Sequence, residues 1–239
     1  MDYATAVGQA PPGWRHFTPS DIGRLPNAVL RRELARVPPQ DRSLFDRGDP
    51  DATDRVLRAL FWTLVYHLEP ERWDELARCE PIHPELIAAL PDHVAVCLDV
   101  GAGSGRLTQH LTGRAQRVIA VEPSLGLASI LARRMPSVVV VSGWAESLPL
   151  PDHCAQLTAA CGAFGPDLEV ITELERVTAG GGCIALINPE EPDWFERHGW
   201  TRKSVHPLPP TAHPQWLDEF FGPSDPPREL LMRRVPGRY

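Results

Sequence analysis

Two groups of residues in this chain have the types and spacing to do chemistry. The first is the run Asp99-Val100-Gly101-Ala102-Gly103-Ser104-Gly105, directly after an apolar stretch at 94–98. Glycines at a strand-to-helix turn permit positive φ and bring bare backbone against a ligand. A Walker A loop would need Gly-Lys-Ser/Thr after its second glycine, and a dinucleotide fingerprint would need glycine at 106, where Arg106 stands. The acid beside the turn is awkward for a pyrophosphate and suits a cation. The combination points to a nucleoside without phosphates that carries an amino or sulfonium group. The second group is Glu122, which ends a second apolar run at 117–121. A carboxylate about 20 residues beyond such a turn can accept both hydroxyls of a ribose through charge-assisted hydrogen bonds. The alternative role for Glu122 is an acid at a helix N-terminus, facing the dipole.

These residues need a scaffold, and the pattern after residue 92 supplies one. Apolar runs at 94–98, 117–121, 137–141, 156–161 and 183–187 read as strands, and 229–235 as a last strand, antiparallel at the sheet edge or next to it. Helices fit at 105–112, 125–134 and 168–178. Near-continuous apolar strands alternating with helices predict a parallel sheet covered on both faces. The proline-rich stretch 207–227 reads as loop. Before residue 92 the periodicity is helical. Thr18-Pro19-Ser20-Asp21 is an N-cap, a first-turn proline and a capping-box acid. A helix follows Pro26, with Val29, Leu30, Leu34 and Val37 on one face. A longer one, capped by Asp51 or Thr53, runs through Leu68; others cover 70–78 and open at Pro84. The expected organisation is a helical cap or lid over 1–91 and an α/β core over 92–239.

Four ordered motifs now stand together: DVGAGSGRLT from Asp99, AVEPS from Ala120, SGWAESLPLPD from Ser142 and ELERVTAGGGCIALI from Glu173. Over about residues 92–190 the chain resembles the class I S-adenosylmethionine-dependent methyltransferases. The resemblance implies a Rossmann-like, seven-stranded, mostly parallel sheet with helices on both faces, preceded here by the N-terminal helical cap. It implies S-adenosyl-L-methionine as cofactor and S-adenosyl-L-homocysteine as product. Asp99, Gly101, Ala102, Gly103 and Gly105 would surround the methionine part, Glu122 would hold the ribose, and Pro123 and Ser124 would flank the adenine. Ala145 and Glu146 would lie near the adenine edge, and Cys161 would line the sulfonium and substrate side. Two departures stand out. Many relatives carry aspartate where this chain has Trp144, which either stacks on the purine or packs against the sheet. Ala155-Gln156 replaces the usual Phe-Asp that opens the fourth strand.

Methyl transfer from a sulfonium is an in-line displacement, so alignment and exclusion of water are the main demands on the protein. A general base helps when the acceptor is a phenol, an alcohol or a protonated amine. The candidates are His153, Glu190 and His67. Trp14, Tyr66 and Trp73 in the helical segment, and Phe164 after the fourth strand, are candidates to bind the acceptor; ordinary packing is the alternative. Asp152, Asp167 and Glu190 are too scattered to make a metal site, and no metal is expected. The five cysteines include no C-x-x-C pair and read as reduced thiols, with Cys154 and Cys161 open as reactive ones.

Composition narrows the partners. Of 239 residues, 43% are hydrophobic and 23% charged, which excludes wholesale disorder. The net charge is −7, with Lys203 the sole lysine and no basic run, a poor footprint for nucleic acid. The start shows no basic patch followed by an apolar core, and the most apolar stretch, 59–66, is far short of the ~20 residues that span a bilayer. A cytoplasmic protein without membrane or nucleic-acid partners is expected. The leading function is methylation of O, N or C on a small-molecule acceptor. One alternative is a nucleic-acid or protein methyltransferase, although Cys161-Gly162-Ala163-Phe164 stands where amino-group base methylases commonly carry Asn/Asp-Pro-Pro-aromatic. Another is a cofactor-binding homologue that no longer methylates and acts as a cyclase, scaffold or regulator.

Overall fold

The computed structural model describes residues 2–209 and 212–237. Positions 210 and 211 of the expected loop, and the expected domain ends at 1, 238 and 239, lie outside the described residues. The chain divides into two compact units, one of Met1–Leu76 with Ala212–Ser224, the other of Ala77–Thr211 with Asp225–Tyr239. This division differs from the expected one by two pieces. Residues 77–91 fold with the sheet, where Ile82, Leu86 and Leu90 enter its core. Residues 212–224 fold with the N-terminal helices, where Phe220 and Phe221 pack on Phe61.

The helical unit begins with α1 (Tyr3–Gly8), α2 (Pro19–Ile22), α3 (Asn27–Arg36), α4 (Pro39–Asp46), α5 (Pro50–Ala59), α6 (Phe61–Leu68) and most of α7 (Pro70–Cys79). The capping box at Thr18 and Asp21 forms as its residues predict. The single helix expected to run through Leu68 is two helices. Leu60, at φ −91° and ψ 1°, closes α5 and opens α6. The cap of α5 is Asp49, not Asp51 or Thr53: its carboxylate accepts the Ala52 N–H at 2.8 Å, and Pro50 takes the first helical position.

The sheet unit contains α8 (Pro84–Ala88), β1 (Val94–Val100), α9 (Thr108–Leu111), β2 (Ala115–Val121), α10 (Leu125–Arg134), β3 (Val139–Val141), β4 (Ala155–Cys161), α11 (Leu168–Val177), β5 (Thr178–Ile187), α12 (Pro192–Arg197), β6 (Thr201–Ser204) and β7 (Glu229–Arg234). The stretch expected to be loop holds a helix, α13 (Gln215–Phe221), opened by Pro214. The surrounding prolines hide its apolar face, on which Leu217, Phe220 and Phe221 are buried. α9 is shorter than the expected 105–112, because Gly101, Gly103 and Gly105 all take positive φ and the chain stays in turns until Thr108.

The strand order is β3-β2-β1-β4-β5-β7-β6. β7 runs antiparallel to both β5 and β6; the other pairings are parallel. This is the seven-stranded Rossmann-like sheet that the motifs imply. Successive strand residues feed opposite faces. Cys97, Leu157 and Ala185 join one core with Leu86, Leu111 and Leu131; Leu98, Ala160 and Ile184 join the other with Ile171, Leu174 and Phe195. Both faces are therefore covered, and this is why the strands read as continuous apolar runs. The chain builds outward from β1 through β2 to β3, then returns to place β4 on the other side of β1. Such a reversal opens a crevice at the carboxyl ends of β1 and β4, the usual ligand position in open α/β sheets.

Gly105 shows how tightly that edge is built. At φ +103° it sits on α10, and a Cβ there would stand 2.6 Å from Leu131 Cδ1 and overlap Met135 Cε. Gly105→Ala is expected to cost about 2 kcal/mol in urea unfolding, through left-handed backbone strain and overpacking. A loss within a few tenths would show that α10 yields freely.

Candidate active site

Each strand that ends at the crevice delivers one chemical group. β1 ends beyond Asp99, which pairs in register with Ala120 of β2 and Ala159 of β4. Asp99 is 1% exposed. Its Oδ2 accepts a hydrogen bond from Thr108 Oγ1 at 2.5 Å, while its Oδ1 is buried with no partner among the described residues. Burial pushes its pKa up to about 7, the Glu122 charge adds to the rise, and the Thr108 hydrogen bond and Arg106 oppose it. The turn that follows is pinned to β2: the Gly101 and Ala102 N–H groups donate to Val121 O at 2.9 and 3.1 Å. Gly101, at φ +70°, leaves no room for a side chain, since a Cβ would stand 2.7 Å from that of Ala163. Ser104 Oγ is also buried with no partner among the described residues.

Glu122, just beyond β2, is 5% exposed and reaches the same turn. Its Oε2 accepts the Gly103 N–H and its Oε1 accepts the Ser124 N–H, both at 2.8 Å. Burial raises its pKa to about 7 against those two bonds. An ionised carboxylate has about four acceptor sites, so each oxygen keeps one for a hydroxyl. The two backbone bonds fix the orientation of the carboxylate.

The remaining residues separate into those at this edge and those away from it. Ser124 is the N-cap of α10, its hydroxyl accepting the Leu127 N–H at 3.3 Å, so its side chain has a helix-capping task. Pro123 is half-buried beside it. Trp144, Ala145 and Glu146, all half-buried, lie in the turn beyond β3, which closes with the Ser147 N–H on Trp144 O at 3.2 Å. Ala145 packs on the α11-side core. Cys161 ends β4 and shares a hydrogen bond with Arg106; burial raises its thiol pKa, as it does for Cys154, which makes both poor nucleophiles. Gly105 faces α10, so its glycine is needed for packing.

Among the base candidates, Glu190 stands on the loop after β5, and its N–H donates to Phe164 O at 3.4 Å. A Cβ at Gly165 would lie 3.3 Å from its Oε2, so the loops after β4 and β5 are in contact there. His153 is corrected. It precedes β4, its ring Nδ1 is 3.1 Å from Thr178 O at the start of β5, and eight residues of strand spacing, roughly 25 Å, separate it from Cys161. It lies at the opposite edge of the sheet from Asp99. His67 is half-buried in the helical unit, and burial draws its pKa below the ordinary imidazole value.

The acceptor-binding candidates all have packing partners: Trp14 is buried, and Tyr66, Trp73 and Phe164 are half-buried. Trp14 is buried, with the Arg58 guanidinium 4.6 Å from its ring centre. Tyr66 and Trp73 meet edge to face at 4.9 Å, and Trp62 contacts both within the aromatic core of the helical unit. Phe164 packs on the α11-side core. Sequence reasoning missed Thr108, Ser104, Glu80 and Arg106 as neighbours of the turn. Arg106 gave a signal that was read only as a missing glycine: a cation set directly after the turn.

Both buried carboxylates have folded-state pKa values near 7, above their ordinary 3.8 and 4.5. The folded chain thus holds extra protons across that window. The stability this brings is complete below about pH 4 and is lost as pH rises through about 7. Asp99→Asn, which keeps an acceptor for Thr108, is expected to stabilise the ligand-free protein more at pH 8 than at pH 5, by about 2 kcal/mol. Equal effects at the two pH values in urea unfolding would contradict a buried, ionisable Asp99.

Comparison with known proteins agrees with this geometry. Residues 97–182 match the protein family described as "Methyltransferase domain". An uncharacterized methyltransferase of Mycobacterium tuberculosis (strain ATCC 25618 / H37Rv) is 35% identical over 117 residues, 48% of this chain and 46% of the relative. The chain thus spans about half the length of the first curated relatives it matches. A demethylmenaquinone methyltransferase of Renibacterium salmoninarum is 26% identical over 193 residues, 77% of this chain and 74% of that protein. A chain of the complex between the Haloferax volcanii Trm112 methyltransferase activator and a methyltransferase shares the fold, with a TM-score of 0.51 at 14% identity over 71% of this chain and 93% of the other. With the strand order, the glycine turn after β1 and the acid after β2, these matches identify residues 97–182 as a methyltransferase domain.

Proposed function

We propose that this protein is an enzyme that transfers a methyl group from S-adenosyl-L-methionine to a small-molecule acceptor at O, N or C. The observation that carries the reading is the buried, unpartnered Oδ1 of Asp99 in a turn that Glu122 also enters. A buried carboxylate oxygen without a donor costs free energy unless a ligand completes it. A nucleoside with a cationic tail supplies what is missing: hydroxyls for Glu122 and positive charge for Asp99. The bare backbone at Gly101 and Gly103 gives close approach. The residues present therefore fit the cofactor.

When bound, S-adenosyl-L-methionine supplies a methyl already activated by a sulfonium. The chain's own task is placement. Glu122, held by two backbone N–H groups, fixes the sugar; Asp99 orients the cationic tail. Cys161 and Ala163 border the side on which an acceptor enters. Glu190, on the loop after β5, is the remaining candidate base on the sheet, and His67 remains one from the helical unit. Burial draws the His67 pKa down, which favours the neutral form in which a base accepts a proton.

The acceptor class rests on the acidic balance of the chain and on the relative named for demethylmenaquinone. Neither favours nucleic acid. Among the described residues no helix is long and apolar enough to cross a membrane, and all five cysteines are free thiols, which supports a reducing, cytoplasmic setting.

Glu122→Gln tests the ribose assignment. Loss of charge-assisted bonds predicts at least about tenfold weaker binding of S-adenosyl-L-homocysteine by calorimetry. Unchanged affinity would contradict the assignment.

A further inference from the structure

Arg176, in the last turn of α11, makes five hydrogen bonds, as many as a guanidinium has N–H groups. Two of them take the oxygens of Glu173, one turn earlier, at 2.7 and 2.8 Å. The other three reach the segment between β3 and β4: Leu148 O at 3.0 Å, Leu150 O at 2.8 Å and Asp152 Oδ1 at 2.7 Å. Glu173 Oε2 also accepts the Leu148 N–H at 2.9 Å, and the Arg176 carbonyl accepts the His153 N–H at 2.8 Å. Leu148 is therefore held at both its N–H and its C=O. Asp152 is 67% exposed and its ion pair adds little, so the bonds to the two carbonyls fix the segment. Glu173 and Arg176 belong to ELERVTAGGGCIALI, the one of the four motifs that brings no residue to the crevice.

A segment outside helix and strand must satisfy its backbone with side chains. Here α11 does so as far as Leu148, and packing carries the constraint onward to the ligand edge. Pro149 lies between the two held carbonyls and packs on Gly143, where a Cβ would stand 2.7 Å from Pro149 Cδ and 3.1 Å from Val121 Cγ1. Val121 ends β2 and precedes Glu122, whose N–H donates to Val141 O at the end of β3 at 3.0 Å. The turn from Trp144 to Ser147 is thus strung between two fixed points, Gly143 and Leu148. With the cationic tail of the nucleoside at β1 and its ribose at β2, the base comes next along the sheet, over β3 and the turn that follows it.

We propose that Arg176 is a positioning residue: with Glu173, and through the carbonyls of Leu148 and Leu150, it sets the turn from Trp144 to Ser147 so that the protein reads the edge of the purine. The proposal rests on the nucleoside reading above and assigns base selection to a residue that acts through the loop rather than by contact with the ligand.

Calorimetry with S-adenosyl-L-homocysteine and S-inosyl-L-homocysteine, which has a carbonyl oxygen in place of the exocyclic amino group, reads base selection as a ratio of affinities. The wild-type protein is expected to prefer the adenine ligand by about tenfold or more, and Arg176→Gln to bring the two affinities within about threefold of each other. A merely stabilising role for Arg176 would lower both affinities, or the fraction of protein that binds, in the same proportion. An unchanged ratio in Arg176→Gln therefore overturns the proposal. If thermal melting shows that Arg176→Gln does not fold, Glu173→Gln decides: it keeps an acceptor for the Leu148 N–H and is expected to lower the ratio by about threefold. An unchanged ratio there overturns the proposal as well. Equal affinity of the wild-type protein for the two ligands overturns the proposal alone. Absence of binding of both overturns the nucleoside reading itself, and the Arg176 proposal with it.

Discussion

The constraint on which the site depends is the burial of two carboxylates at one edge of a sheet. Asp99 and Glu122 sit at the ends of adjacent parallel strands, almost wholly removed from water, and the Glu122 charge raises the cost of ionising Asp99. A fold keeps such a pair only if something repays the desolvation. Backbone N–H groups repay it partly for Glu122 and a threonine hydroxyl partly for Asp99. The remainder is a standing preference for a ligand with hydroxyls and positive charge. The site is defined by this unmet demand as much as by its shape.

The sheet makes the demand possible. Because β1 lies between β2 and β4, its carboxyl end is screened on both sides, and the covered faces exclude water from above and below. The glycine turn then replaces side chains with backbone where a ligand must approach. Gly101 makes room for Ala163 beyond β4, and Gly105 makes room for α10. Glycines in one motif thus answer to different constraints.

Much of this was legible because it follows from local rules. Continuous apolar runs identified the strands, and the acids ending two of them meet at one edge of the sheet. The bounds of α10 are those expected, because Ser124 caps it and Pro123 cannot extend it backward. The less legible parts depend on long-range packing. α13 lies among prolines and is stabilised by aromatic contacts with Phe61, nearly 160 residues away in sequence. β6 is a four-residue edge strand defined by its pairing with β7 rather than by its composition. Trp14, Tyr66 and Trp73 have the right types for a binding site, and their packing partners are visible only in the structure. The Arg106–Glu80 pair joins residues 26 apart, and no local pattern announces it.

The central claim is that Asp99 and Glu122 must be ionised to hold an adenosyl sulfonium. Calorimetric titration of the wild-type protein with S-adenosyl-L-methionine at pH 5.5 and pH 7 tests it most directly. The sulfonium and the α-ammonium (pKa of about 8) both stay charged across that interval, while both carboxylates ionise toward about 7. The account predicts binding that tightens by about tenfold or more at the higher pH. No measurable binding at either pH, or an affinity indifferent to pH, would contradict it.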